Sequence, residues 1–205
     1  MIEPNPPRWI LAGHSSSQPR ELVDDLELTQ AQVMVEESSA FAEIDLNVCD
    51  AFILVINAKT GVSGAMIELW NRVSDRQIPR MIIVNGLELS EIDFDDIVLI
   101  INRVLENVVT PYLVLHDELG EPSGLISIAD GLVHDYSGTE ESNYKADDEL
   151  LNLVKDFREE LTLALSEMDE SAYREGIVVP ALPYVHAKKI GLREIKDFAR
   201  VLTKR

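Results

Sequence analysis

The chain has 205 residues, 46% of them hydrophobic, which is enough apolar surface for one large domain or a domain with a modest appendage. Its 18 Lys and Arg stand against 37 Asp and Glu, a formal net charge of −19 that argues against direct contact with a nucleic-acid backbone. A start without the charged and apolar regions of a signal peptide, no apolar run of spanning length, and a single cysteine, Cys49, exclude a membrane partner and an internal disulfide and point to a cytoplasmic chain.

Along the chain, short Ile- and Val-rich runs alternate with segments of helical period, the pattern of an α/β fold: a mainly parallel sheet with helices on both faces. Trp9–Ala12 is the first predicted strand, followed by a helix over Pro19–Leu28 and a strand at Val33–Val35. Phe52–Ile56, Met81–Val84 and Ile177–Val179 complete five buried strands, with helices over Ser63–Gln77, Asp93–Asn107 and Leu192–Leu202. The alternation breaks between them. Pro111–Leu115, Gly124–Ala129 and Leu132–Tyr136 read as an antiparallel patch turning at Asp130-Gly131; a polar loop over Ser137–Asn143 and a long amphipathic helix over Ala146–Met168 follow. The break places a small α+β insert at 110–175 inside a domain made of 1–109 and 176–205. Charge is uneven as well: residues 140–175 hold twelve acidic and four basic side chains, whereas 186–205 hold seven basic and two acidic.

In an open α/β sheet the turn after the first strand is the first place to look for a ligand. A phosphate cradle of the form G-x-x-x-x-G-K-[ST] needs a second glycine for its backbone donors, a lysine for charge and a hydroxyl for magnesium. Only Gly13 fits that pattern. Gln18 stands at the second glycine, Pro19 at the lysine and Arg20 at the hydroxyl position. Proline removes a backbone N–H as well as the charge, and Glu21 puts a carboxylate in the helical turn where an anion would sit. Ser15-Ser16-Ser17 lacks a nucleophile elbow and reads as loop and helix cap. His14, His116, His134 and His186 are scattered and predict no metal site.

Several stretches resemble the GTPase domain of elongation factor G. Asp50 to Val62 is similar to the strand and turn after that family's switch II. Glu68-Leu69-Trp70 and Ile78 to Asn85 follow in the family's order and spacing. Gly124 to Asp130 resembles the S-G-[IV]-[IV]-D segment that opens the family's insert, and Glu167 to Glu170 with Tyr173 resembles its end. The resemblance implies a P-loop NTPase-like fold, and it identifies positions where the family's chemistry has been replaced. Glu36 falls at the aspartate that holds magnesium through water, Ser39 at the glycine that reports the γ-phosphate, and Ala40 at the histidine that positions the attacking water. Only Leu28 to Ala31 separate the first helix from the second strand, so the switch I segment is missing relative to the family. Asn85-Gly86-Leu87-Glu88 stands at N-K-x-D, keeping the asparagine and a lengthened carboxylate, and no serine occurs at Val185 to Lys188, where the last base-contacting motif would fall.

These replacements predict a pseudo-GTPase without catalytic residues, cofactor or metal, acting as a protein-binding scaffold. The alternative is a divergent GTPase that still binds GTP or GDP with magnesium through Gly13, Gln18, Pro19, Arg20, Glu36, Asn85 and Glu88. The family's insert faces the acidic ribosomal stalk protein, so the resemblance implies a protein partner at the ribosome. Self-association as a homo-oligomer through an exposed strand edge at Val33–Val35 is a further option.

Overall fold

The structure, a computed structural model, describes residues 5–36, 41–89, 92–138, 142–166, 168 and 170–204. Five parallel strands form the main sheet: β1 (Trp9–Gly13), β2 (Ala31–Val35), β3 (Ala51–Asn57), β4 (Arg80–Asn85) and β9 (Ala181–Pro183), in the order β2-β1-β3-β4-β9. Every residue of β1, β3 and β4 is buried, because both faces are covered. Alternate residues feed two cores. Ile10, Phe52, Leu54, Ile82 and Val84 face α2 (Gly64–Ser74) and α3 (Phe94–Val104), whereas Leu11, Ile53, Val55, Met81 and Ile83 face α1 (Pro19–Leu26) and α7 (Leu192–Thr203). Strand β2 is the outer strand beside β1, and only its residues Ala31, Val33, Met34 and Val35 are half-buried.

A second, antiparallel sheet interrupts the first: β5 (Tyr112–His116), β6 (Pro122–Ser127), β7 (Leu132–Asp135) and β8 (Ser142–Lys145), paired in that order. Gly131, at φ +70°, makes the β6–β7 turn expected at Asp130-Gly131. Helices α4 (Asp148–Leu153) and α5 (Lys155–Leu165) cover this sheet around Ile126, Ile128, Val133, Val154 and Leu161, and α6 (Ser171–Arg174) leads back to the main domain. Among the described residues no helix is long and apolar enough to cross a membrane.

Three predicted elements are corrected. The fifth strand is Ala181–Pro183 and not Ile177–Val179, because the Ile177 and Val178 amides turn back onto the Ala172 carbonyl to close α6, leaving Ile177 52% exposed. The helix expected over Ala146–Met168 bends at Val154 into α4 and α5; the bend turns Val154 fully inward and leaves Leu153 68% exposed. The polar loop expected to run to Asn143 gives way to β8 at Ser142, an exposed strand whose polar residues carry no alternating signal.

Candidate functional site

The strand order reverses direction between β1 and β3, and the carboxyl ends of β1, β2, β3 and β4 meet at that point. The structure brings Gly13, Gln18, Pro19, Glu36 and Asn85 to this edge. Glu36 donates its amide to the Gly13 carbonyl at 2.9 Å, and its carboxylate accepts from the Ser63 hydroxyl at 2.8 Å. Ser63 in turn caps α2, accepting from the Met66 amide at 3.2 Å. Ser39 and Ala40 lie outside the described residues.

The turn after β1 is wound into a short 3-10 helix over Ser15–Ser17, which spends its donors on itself. The Ser16 amide bonds the His14 ring at Nδ1 (3.1 Å), the Ser17 amide bonds the His14 carbonyl (2.9 Å) and the Gln18 amide bonds the Ser15 carbonyl (3.3 Å). Ser17 is fully buried, and its hydroxyl also donates to the His14 carbonyl at 2.7 Å. A Cβ on Gly13 would lie 2.4 Å from that hydroxyl oxygen and 2.5 Å from the Val55 carbonyl oxygen, so glycine is needed here for close packing of the loop on β3. Gln18 adopts the left-handed conformation at φ 49°, and Pro19 starts α1 with its ring buried. Arg20 and Glu21 are exposed on the first turn of α1.

Two asparagines tie this loop to the sheet. Asn57 donates to the Ser16 carbonyl at 3.0 Å, and Asn85, 3% exposed, donates through Nδ2 to the Ser17 carbonyl. The remaining oxygen of Asn85 and one carboxylate oxygen of the half-buried Glu88 are buried without a hydrogen-bond partner among the described residues. Both orphans are acceptors, one at the end of β4 and one on the loop that follows it. Gly86, at φ +73°, shapes that loop, where a Cβ would meet the Asn57 amide nitrogen at 2.4 Å.

Sequence reasoning missed the polar cluster that follows β9. Lys189 Nζ donates to Asp25 at 2.5 Å, His186 Nδ1 lies 2.8 Å from the same carboxylate, and the Tyr184 hydroxyl donates to it. Burial pushes the Asp25 carboxyl up, but hydrogen bonds from Lys189 and Tyr184 outweigh it, and the group sits below the usual carboxylate range. Tyr184 is pushed up by burial and by Asp25. Asp25 lies on α1, remote in sequence from residues 184–189, so no local motif announces the cluster. Cys49 is half-buried, its thiol pushed up to about 11 by burial, consistent with packing and not reactivity. Among the described residues no group of three or more His, Cys, Asp or Glu is placed to hold a metal ion.

No protein-family model matches the chain. Over 135 residues, 63% of this chain, it is 27% identical to "Ribosome-releasing factor 2, mitochondrial" from Anopheles gambiae, and that stretch is 18% of the relative's length. The fold matches a crystal structure of a protein from Thermus thermophilus with a TM-score of 0.77 and 18% identity, covering 96% of this chain and 40% of that one. The chain therefore spans well under half the length of the proteins it matches. It has an elongation factor G-like GTPase fold with a small antiparallel insert, and over the matched stretch its sequence is similar to a ribosome-releasing factor.

Proposed function

We propose that this chain is a non-catalytic pseudo-GTPase: a retained elongation factor G-like scaffold that works by binding other proteins. One observation carries the reading. The Ser16, Ser17 and Gln18 amides, which a phosphate cradle would direct at its ligand, are bonded inside the loop, and Ser17 is fully buried with its hydroxyl also turned onto the His14 carbonyl. Pro19 has no amide proton to add, and Glu21 sits where a polyphosphate would need positive charge. A magnesium nucleotide does not fit residues arranged in this way, and the Glu36 carboxylate is engaged by Ser63.

A link to translation rests on the relative's printed name, which ties that protein to ribosome release, and a ribosomal protein partner is the corresponding proposal here. Co-sedimentation with ribosomes is the expected result; a chain that stays in the supernatant removes the link. The second reading, residual guanine-nucleotide binding, is favoured by the two orphaned acceptors on Asn85 and Glu88, which suit the N–H edge of a base. Calorimetric titration with GTP and GDP in magnesium separates the two. Flat titrations are expected, and binding near 1 μM, about −8 kcal/mol, would instead establish a nucleotide-binding protein.

A further inference from the structure

Helix α3 buries Phe94, Ile97, Val98 and Ile101 in the core on one face of the main sheet, as a surface helix should, but its outer face is not polar. Leu99 is 67% exposed, Ile100 42% and Val104 36%, and helical spacing gathers them with Asp96 and Arg103 into one outward stripe. Among the described residues α1, α2 and α7 expose no large hydrophobic side chain. A single exposed leucine is ordinary, whereas a contiguous apolar patch between two charges marks a contact surface.

The two flanking charges are not used within the chain. Asp96 and Arg103 are both exposed, and among the described residues neither side chain has a hydrogen bond or an ion pair. They stand seven residues apart, about 10 Å along the helix at 1.5 Å of rise per residue, too far to meet each other. Glu106, which Arg103 could reach by its spacing, is held by Arg80 at 2.9 Å through both carboxylate oxygens.

The order Asp96, Leu99, Ile100, Arg103 is its own complement when reversed. We propose that two copies of this chain associate through α3, antiparallel about a two-fold axis that passes between Leu99 and Ile100. That axis sets Asp96 against the partner's Arg103 at both ends and Leu99 against the partner's Ile100 between them. Asp95 then faces Val104, so no carboxylate meets a carboxylate. The charge order selects a second copy over a foreign helix, which would have to carry the same two charges at the same separation. One helix pair falls short of the roughly 1,200 Å² of a standard interface, and each copy has a net charge of −19, so the association is weak, half complete on the order of 100 μM. The inference goes beyond the scaffold reading and depends on no property of the loop after β1.

Sedimentation equilibrium of the full chain, from about 10 μM to about 1 mM in about 0.15 M salt, should show the average mass rising toward twice that of one chain. Asp96→Arg or Arg103→Asp alone puts like charges together at both ends of the contact and should weaken association about tenfold. The two single variants change the net charge in opposite directions, so a loss common to both does not come from overall repulsion. The double variant Asp96→Arg/Arg103→Asp keeps the net charge, restores opposite charges across the axis and should recover association to within about threefold of wild type. Leu99→Gln leaves the charges in place and should also weaken association; it serves if a charge variant melts earlier than wild type. A chain that stays monomeric throughout overturns the proposal and leaves the patch to a partner of another kind. A dimer that survives both single variants and Leu99→Gln lies on another surface, such as the free edge of β2, and overturns it too. A folded double variant as weak as either single one would contradict the antiparallel pairing.

Discussion

Asp25 accepts from Lys189 and Tyr184 and lies beside His186, and these contacts hold its carboxyl below the usual range against the opposing effect of burial. A carboxylate whose pKa is lower folded than unfolded contributes stability above its unfolded value, about 3.9, and loses it as the pH falls through the lowered one. Denaturant midpoints should therefore separate wild type from Asp25→Asn at pH 7 and converge as the pH drops below about 4; a gap that stays constant would show that the cluster does not act through this carboxylate. At the same scale, the sequence alone shows that Gln18, Pro19 and Arg20 stand where a phosphate-loop pattern counted from Gly13 has its second glycine, its lysine and its hydroxyl, since each position has a stated chemical duty. The way the loop closes is not. It depends on the His14 ring turning its Nδ1 toward the Ser16 amide and on Ser17 filling the space above Gly13, contacts that only the folded turn creates.

Elements with continuous apolar runs are the legible ones: β1, β3 and β4 fall where the Ile and Val runs place them, because strands buried on both faces leave no ambiguity of pattern. Short or polar elements are not, and β8 and β9 depend on neighbours that recruit them. The Val109 amide bonds the Val179 carbonyl and the Ala181 amide bonds the Val109 carbonyl, pulling the chain into the sheet later than its apolarity suggests. Arg80 opens β4 and anchors this corner. It is 2% exposed, donates to Glu106 at 2.9 Å and to the Gly176 carbonyl at 3.1 Å, and lies over the Trp70 ring. Arg80→Ala leaves a carboxylate and a buried carbonyl without their donor and should cost about 3 kcal/mol of unfolding free energy. A loss under about 1 kcal/mol in urea would show that water replaces the guanidinium without penalty.

At the scale of the whole molecule, the pattern of apolar runs reveals an insert inside an α/β domain but not how the two are joined. They meet through a buried polar contact between residues 60 apart: His134 on β7 bonds Glu194 on α7 through Nδ1, and the Tyr136 hydroxyl donates to the same carboxylate at 2.9 Å. Glu194→Ala should raise amide hydrogen exchange in β5, β6 and β7 while β1, β3 and β4 keep their protection; equal protection throughout would mean that apolar packing alone docks the insert. The joint leaves the carboxyl edge of the main sheet as a separate feature, and there the amides of Ser16, Ser17 and Gln18 are the groups to watch. In an amide-resolved NMR titration with magnesium and GDP, their resonances should stay in place up to about 1 mM nucleotide, a concentration that detects even binding near about −4 kcal/mol. Saturable shifts of those three resonances at micromolar nucleotide would show that the loop opens to hold a phosphate, and would contradict the reading of this chain as a GTPase scaffold without its nucleotide.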